Sequence, residues 1–392
     1  MANGKYIKTI YCSPAATFVT KDDGSVWVTG SNSFGLLGLG HNNNVTELTP
    51  LNISGIKKIE AGNSFSFLLK EDGTLYSCGC NNFGQLGIGA DVYTEKHSFT
   101  KLSKFNGRYT NVWVGGTFAV MQVDGSSKYS CGWNMYGQLG IGSYGANNNK
   151  NEPTLISTNS FSDAEVIIGN DHMFQLCPSG DVYACGSNHY GELGLGTTTE
   201  NYTTFKKVSI TNVKKIVCGN GHTVVLKNDG TIWSCGYNSK GELGLGNTTN
   251  VNSFTKVRNN CPTNIKDIAV GNRNTFVITE DGNAYSCGRN DCGQLGLGHT
   301  NNRDYFCKMQ VANVSKIIAG SNHTIAITND GKVYNVGSNA NGELGLGSSI
   351  TNVSAFAIHD GLQVYYEGMP EPITYAGSVD EIINLLTFQS FK

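Results

Sequence analysis

A glycine-rich motif recurs seven times along the 392 residues of this chain. Its first copy reads DGSVWVTGSNSFGLLGLG (23–40), and its fifth reads DGTIWSCGYNSKGELGLG (229–246). Consecutive copies lie 49 to 55 residues apart, measured between their turn glycines Gly24, Gly73, Gly125, Gly180, Gly230, Gly282 and Gly331. A repeat of this period indicates that each copy is one supersecondary unit and that neighbouring units pack together to bury a core.

Each repeat unit has the pattern of four short strands. In the second unit the segments are IKKIEA (56–61), SFSFLLK (64–70), TLYSCG (74–79) and, more weakly, SFTKLS (98–103). The Asp-Gly pair between the second and third segments predicts a tight hairpin turn. A four-stranded unit cannot bury both of its faces alone. Seven such units therefore predict an all-β fold, a seven-bladed β-propeller of four-stranded blades.

The residues after the last repeat predict further structure. SAFAIHD (354–360) occupies the position of the outer strand of the seventh unit, and QVYYE (363–367) has the pattern of one more strand. Ser378 with Glu381 forms a capping-box pair ahead of the apolar run IINLL. That pair predicts a short helix over 379–387.

These patterns divide the chain into two parts. Residues 1–360 are predicted to form the propeller, and residues 361–392 a C-terminal extension with a short strand and helix. The seven repeats account for the blades without the extension. We expect it to dock an assembly partner, and the alternative is that it closes the propeller ring.

Composition excludes several classes of partner. The chain carries 28 basic and 30 acidic residues, so no long-range positive field attracts nucleic acid. No apolar run reaches about 18 residues, so no segment is expected to insert into a membrane. MANGKYIKTIYCS at the N-terminus lacks the apolar core of a secretion signal, which predicts cytoplasmic synthesis with the twelve cysteines reduced. Lysine is far commoner than arginine and asparagine is abundant, which favours an AT-rich bacterial or phage genome.

The repeat also resembles a known family. Its pattern is apolar-x-x-apolar-x-Ala-Gly-x-x-His-Thr, then Asp-Gly-x-apolar-Tyr-Ser, then Gly-x-Asn-x-x-Gly-Gln/Glu-Leu-Gly-Leu-Gly. This pattern is similar to the repeat of the regulator of chromosome condensation family, over roughly residues 1–347. The resemblance implies a seven-bladed propeller. It does not fix the function, because one fold serves many functions.

Cysteine recurs in one column of the repeat, at Cys78, Cys131, Cys185, Cys235 and Cys287, with Thr29 and Val336 in the remaining units. Equivalent positions of different blades point into different seams between blades, too far apart to share a metal. We therefore predict small buried apolar side chains here, with no metal and no cofactor.

Two further columns contain residue types that are common in catalysis. One holds His172, His222 and His323, with Ala16, Phe65, Phe118 and Asn274 in the other units. The other holds Glu192, Glu242 and Glu343, with Gln85, Gln138, Gln294 and Leu36. A column that accepts Phe or Ala is not catalytic, and exchange between Glu and Gln indicates acceptors that brace a loop. We predict structural roles for both columns and no enzyme activity.

Specificity is expected on the face where the first-to-second turns and the third-to-fourth loops meet, because variable loop positions are free for recognition. Large aromatic and charged residues concentrate there in units three to six. The predicted binding face is Trp133, Met135, Tyr136, Asp171, His189, Tyr190, Tyr237, Lys240, Arg273, Arg289 and Asp291. At positions 133, 237 and 289 the other units have Ser or Cys, so blade packing is not expected to need large residues there. The alternative for the aromatics at 34, 83, 136 and 190 is that they only pack the loops.

Three functions fit this sequence. The first is a non-enzymatic recognition or scaffold propeller for a protein or glycan, in concrete form a phage-tail or bacterial surface receptor-binding component, which would place the chain in a virion or tail particle. The second comes from the resemblance, whose namesake is a guanine-nucleotide exchange factor for a small GTPase. That activity uses a wedge inserted in one blade, for which the even spacing leaves no room. The third, also by resemblance, is an inhibitor of the β-lactamase type that uses an aromatic-lined face.

Overall fold

Short antiparallel strands account for nearly all regular structure in the computed structural model. The structure describes residues 6–89, 94–157, 163–198, 201–258, 260–347 and 352–363. Within these ranges it contains 28 strands and one short 3-10 helix, Ala146–Asn148. The strands form seven four-stranded sheets, each made of consecutive strands in chain order. The predicted all-β fold, a seven-bladed propeller, is confirmed.

The strands of blades 1 to 4 are β1 (Ile7–Cys12), β2 (Ala16–Lys21), β3 (Val26–Gly30) and β4 (Val45–Leu51); β5 (Ile56–Ala61), β6 (Phe65–Lys70), β7 (Leu75–Gly79) and β8 (Lys96–Lys101); β9 (Tyr109–Val114), β10 (Phe118–Val123), β11 (Ser127–Gly132) and β12 (Lys150–Leu155); β13 (Glu165–Ile168), β14 (His172–Leu176), β15 (Val182–Gly186) and β16 (Tyr202–Val208). The strands of blades 5 to 7 are β17 (Val213–Cys218), β18 (His222–Lys227), β19 (Ile232–Gly236) and β20 (Val251–Lys256); β21 (Ile265–Val270), β22 (Asn274–Thr279), β23 (Ala284–Gly288) and β24 (Arg303–Lys308); β25 (Val314–Ala319), β26 (His323–Thr328), β27 (Lys332–Ser338) and β28 (Asn352–Gln363).

Burial changes from strand to strand within a blade. Residues of the first strands, such as Ile59, Ile216 and Ile268, line a central cavity of about 400 Å³. Second strands are buried on both faces: all six residues of β22 are buried, as are all six of β26. In contrast, no residue of β8 is fully buried. A strand covered on both faces needs a near-continuous apolar run rather than alternation, and β6 (FSFLLK) shows such a run.

The apolar core is divided among the seams between neighbouring blades. One cluster joins Phe67 of blade 2 to Val112 and Met121 of blade 3. Another joins Val19 of blade 1 to Ile325 of blade 7, so the first and last blades are packed together like any other pair. Burial of apolar surface in these seams is the main term that favours the ring over separate blades.

Among the described residues, the first and last blades are each built from consecutive strands. Blade 1 consists of β1–β4, and β28 completes blade 7. Hydrogen bonds join the two blades: Ser321 N donates to Pro14 O (2.9 Å), and the hydroxyl of Thr17 donates to Glu343 O (2.8 Å). Closure therefore uses the same side-by-side contacts as the other seams.

The C-terminal extension is described only at its start. The segment 354–360 lies in β28, as expected for the outer strand of the seventh unit. β28 runs on to Gln363, across the predicted domain boundary at 360, so the division of the chain at this point stays a prediction. Residues 364–367 and the predicted helix over 379–387 lie outside the described residues. Across the ranges that are described, no helix is long and apolar enough to span a membrane.

Candidate functional site

The third-to-fourth loops and the first-to-second turns meet on one side of the ring, which we call the loop face. Each loop begins with a backbone hydrogen bond to the turn of the same blade. Examples are Tyr237 N to Gly221 O (2.7 Å) and Arg289 N to Arg273 O (2.8 Å). The predicted meeting of these two segments is confirmed.

Beneath the loop face, one asparagine per blade holds the loop in shape. Its side-chain oxygen accepts the backbone N–H of the leucine five residues later, at 2.8 to 3.2 Å. These residues are Asn32, Asn81, Asn134, Asn188, Asn238, Asn290 and Asn339, and all are buried. Sequence reasoning assigned them no role, although their presence in all seven copies was a usable signal.

The column of Glu and Gln braces the same loops. Gln85 Oε1 accepts the N–H of Phe83 (2.9 Å), and Glu192 Oε2 accepts the N–H of Tyr190 (2.7 Å). Each of the six Glu and Gln residues accepts the backbone N–H two positions before it. Since both side chains offer the same acceptor oxygen, Glu and Gln can exchange. The loop-bracing prediction is confirmed.

The histidine column links one blade to the next. His172 Nε2 lies 3.1 Å from the hydroxyl oxygen of Thr223, and that hydroxyl donates to Glu192 O (2.7 Å). The threonine therefore accepts from the imidazole, which requires a proton on Nε2. Burial lowers the pKa of His172 to about 3 and holds the ring neutral. This contact is consistent with the structural role predicted for the column.

Residues of the next blade correlate with the occurrence of histidine in this column. His222 faces Thr275 (3.3 Å), and His323 faces Thr17 (3.4 Å). Phe65 and Phe118 precede blades that have Ala119 and Met173 at the position of the threonine. Each histidine therefore lies opposite a hydroxyl and each phenylalanine opposite an apolar residue, whereas Ala16 and Asn274 also precede blades with a hydroxyl residue there.

The cysteine column is buried, as predicted. Its five thiols have no exposed surface, and burial raises the pKa of each above its ordinary value. Cys131 Sγ lies 3.5 Å from Gln85 O of the preceding blade. All twelve cysteines of the chain fall in described ranges and are free thiols. In the part of the chain that is described, no three His, Cys, Asp or Glu residues are grouped as metal ligands would be.

Aromatic side chains lie on the loop face from blade 2 to blade 6. We call this series the aromatic arc, and it consists of Phe83, Trp133, Tyr136, His189, Tyr190, Tyr237 and Arg273. Ring centroids lie 5.7 Å apart for Phe83–Trp133, 5.2 Å for Trp133–Tyr136, 4.8 Å for Tyr136–His189 and 4.6 Å for Tyr190–Tyr237. The guanidinium of Arg273 lies 4.8 Å from the Tyr237 centroid. His189 and Tyr190 are consecutive residues, and they link the two groups of ring contacts.

Two of these contacts cross from one blade to the next. Trp133 packs on Phe83 and Tyr237 packs on Tyr190, each an aromatic residue of the preceding blade. That blade packing does not need large residues at 133 and 237 stays a prediction. Phe83 belongs to the arc although sequence reasoning left it out of the predicted face. Its column, shared with Tyr136 and Tyr190, was the signal that could have included it.

A cavity of about 230 Å³ lies between blades 4 and 5. Six of the predicted face residues line it: Tyr136, Asp171, His189, Tyr190, Tyr237 and Arg273. Ser187, Glu192 and Gly221 also line it and were not predicted. A space of this size suits one side chain of a partner rather than a large ligand.

The other predicted residues lie outside this cavity. Met135 is 42% exposed beside Trp133, which itself contacts Tyr136. Arg289 donates through Nε and Nη2 to Asp291 Oδ2 (2.9 and 2.6 Å) and through Nη1 to Asn322 (3.1 Å). The backbone N–H of Lys240 donates to Glu242. The structure therefore separates an Arg289–Asp291 pair from the cavity.

Carboxylates dominate the charge around the cavity. Burial raises the pKa of Asp171 to about 6, and the nearby Glu192 acts in the same direction. Burial also raises the pKa of Glu242, which lies just below the loop, while the guanidinium of Arg273 opposes that shift. Arg273 is thus coupled to Glu242 as well as to the Tyr237 ring. Such an arrangement can hold a hydrogen-bond donor or a cation. Within it the hydroxyl of Ser187 donates to Glu192 Oε1 (2.6 Å), while the other carboxylate oxygen of Glu192 accepts the N–H of Tyr190.

Comparison with known proteins identifies the family. The family description "RCC1-like domain" matches residues 1–252 and 164–380, and the chain belongs to this family. It is 30% identical to the ultraviolet-B receptor UVR8 of Arabidopsis thaliana over 209 residues, 52% of this chain and 47% of that receptor. It is 28% identical to the X-linked retinitis pigmentosa GTPase regulator of Homo sapiens over 182 residues, 46% of this chain and 13% of that protein. The chain therefore matches less than half the length of these two relatives.

Solved structures show the same fold. Human WBSCR16 superposes with a TM-score of 0.73 and 21% identity, covering 84% of this chain and 89% of that one. Prp20p of Saccharomyces cerevisiae also gives a TM-score of 0.73 with 21% identity, covering 91% of this chain and 87% of that one. At this identity the likeness concerns the fold alone.

Proposed function

We propose that the chain is a non-enzymatic recognition propeller that binds a partner protein through the aromatic arc. The observation that carries the proposal is the cavity, around which six predicted residues from four different blades meet. Tyrosine, tryptophan and arginine are the residue types that contribute most to binding hot spots. Partly exposed rings such as Tyr190, 43% exposed, fit this use.

The buried layer supports the non-enzymatic part of the proposal. The histidines and glutamates that could suggest catalysis form hydrogen bonds that join blades or brace loops, and the cysteines of the column are buried in the seams. Their neutral or buried state serves packing. Fold relatives support a protein partner, since the work on Prp20p concerns its binding to Gsp1p and histones, and yeast RCC1 (Prp20) has been solved with Kap60 bound to it.

Site-specific photo-crosslinking tests the proposal. A benzophenone amino acid replaces Met135, which is exposed beside the arc, or Asn228, which is exposed on the opposite Asp-Gly face. In extract of the native host, we expect position 135 to give a defined protein adduct that Tyr237→Ala weakens. Adducts from position 228 alone, or from probes in 361–392, would place binding on another surface.

Nucleotide exchange is the second candidate. The observation in its favour is 25% identity over 127 residues to an RCC1-like G exchanging factor-like protein of Mus musculus. Release of a fluorescent GDP analogue from a small GTPase of the host distinguishes the two candidates. Exchange activity predicts accelerated release, and recognition alone predicts none.

The sequence also predicts more specific ligands and locations, which we keep as proposals. The aromatic arc is compatible with three further proposals. These are a glycan ligand on the loop face, a place in a phage tail, bacterial surface or virion, and inhibition of a β-lactamase-type enzyme. Glycan arrays and an enzyme-inhibition assay test the first and last of these. An assembly partner for 361–392 also remains a prediction, and it concerns a segment of which only 361–363 are described.

A further inference from the structure

Two small residues open the cavity between blades 4 and 5. Gly221 occupies the turn position that is Asp171 in blade 4 and Arg273 in blade 6, and Ser187 occupies the loop position that is Tyr237 in blade 5. Gly221 is not among the glycines with positive φ, so its backbone does not require glycine. A Cβ at this position would meet Tyr190 at 3.3 Å and Tyr237 at 3.4 Å. The side-chain space of residue 221 is therefore left to the cavity.

The walls of this space are aromatic. Tyr136, Tyr190 and Tyr237 line it, and His189 joins Tyr136 edge to face. Aromatic rings around a site favour an alkyl chain that ends in a cation, because the ring faces carry negative electrostatic potential. One such contact already exists at the edge of the cavity, where Arg273 lies over Tyr237.

The charge of the lining is also suited to a cation. Asp171 and Glu192 both line the cavity, while the charge of Arg273 acts on Glu242. Gln performs the bracing role of Glu192 in blades 2, 3 and 6. Bracing of the Tyr190 N–H therefore does not itself need a carboxylate. At position 192 the carboxylate also accepts from the hydroxyl of Ser187 (2.6 Å) and adds negative charge beneath the cavity.

Asp171 has capacity for one more donor. Its Oδ2 accepts from the side chain of Asn170 (2.6 Å), whereas Oδ1 is buried and has no hydrogen-bond partner in the described residues. A buried carboxylate oxygen without a donor is unfavourable, and a charged N–H donor forms the strongest bond to it.

From these features we propose that the cavity receives a lysine or arginine side chain of the partner protein. The cation is bound by Asp171 with the support of Glu192, and the alkyl stem packs on Tyr190 and Tyr237. The inference rests on the proposed function and adds to it the chemistry of the partner residue.

Ligand-observed NMR tests the socket without the partner. The probes are the Nα-acetyl N-methylamides of lysine, norleucine and glutamate, and saturation transfer from the intact protein to each probe is measured. We expect transfer to the lysine probe at least fivefold above that to the norleucine and glutamate probes. Asp171→Asn and, separately, Gly221→Met should each reduce it at least fivefold. Gly221→Met fills the space and leaves every carboxylate in place, and Glu280→Gln on the opposite face is the matched charge control.

Other outcomes overturn the inference. A preference for the glutamate probe would mean that Arg273 dominates the site. Equal transfer to all three probes would mean that the cavity does not discriminate between ligands by their charge. Lysine binding that survives both Asp171→Asn and Gly221→Met would place it elsewhere. These outcomes leave the proposed function standing. Crosslinking that requires Tyr237 tests that function separately.

Discussion

Tyr237 and Asn238 are consecutive residues of blade 5 that belong to different layers of the same loop. Asn238 is fully buried, accepts the N–H of Leu243 at 2.9 Å, and has an equivalent in every blade. Tyr237 is partly exposed, contacts Tyr190 and Arg273, and is replaced by Ser, Cys, Trp or Arg in other blades. The buried layer is therefore the same in every blade because it holds the loop in shape. The exposed layer above it varies because the shape of the loop does not depend on those side chains.

The largest effect is expected at a glycine of the buried layer whose backbone is crowded by a neighbouring turn. Gly236 has φ +102°, and a Cβ there would lie 2.4 Å from Gly221 O, whereas Gly230 has φ +76° and open space around it. Gly236→Ala should cost about 4 kcal/mol, from positive φ and overpacking together, and Gly230→Ala about 1–2 kcal/mol from φ alone. Urea unfolding measures both. Equal losses would mean that crowding beneath the loop is not the constraint.

Low pH should weaken the contacts between blades that the buried histidines make. Burial lowers the pKa of His172 to about 3 and of His222 and His323 to about 4. As the pH falls below about 6.5, these histidines therefore become protonated in the unfolded chain while they stay neutral in the folded chain. The contribution of these neutral histidines to the free energy of unfolding is fully present above that pH and is lost as the pH falls towards 4. Each histidine contributes about 2 kcal/mol of the loss at pH 5. Asp171, whose pKa is raised, opposes part of it.

Thermal unfolding between pH 7 and pH 5 measures this dependence. The chain supplies its own control, because Asn274 occupies the histidine column opposite Thr324. His222→Asn should reduce the pH dependence by about one third. A melting temperature that is flat over this range would show that the histidines are not buried neutral.

A smaller effect distinguishes the brace from its charge. Glu242→Ala removes the acceptor for Lys240 N–H and should cost about 1–2 kcal/mol. Glu242→Gln keeps an acceptor oxygen, as in three other blades, and should stay within about 0.5 kcal/mol of the parent. Chemical denaturation of the two variants gives the comparison, and an equal loss for both would assign a role to the carboxylate charge itself.

The two layers also differ in how well the sequence predicts them. Strand β5 begins and ends at the predicted residues, and the roles of Glu192 and Cys131 follow from which residues replace them in other units. The cavity could not be predicted, because it depends on the absence of a side chain at Gly221 and on which aromatic rings contact each other in three dimensions. A repeat pattern records what is common to the blades, whereas a site depends on how one blade differs from its neighbours.

The most direct test measures stability and binding on the same variants of the arc. Trp133→Ala and Tyr237→Ala should change the free energy of unfolding by no more than about 1 kcal/mol, since each removes one partly exposed aromatic contact. Against the partner captured by crosslinking, at least one should weaken binding by about 2 kcal/mol or more, while Asn228→Ala on the opposite face leaves the Kd unchanged. Binding that survives both arc substitutions, but fails with Asn228→Ala or with changes in 361–392, would contradict the assignment of the arc as the recognition surface.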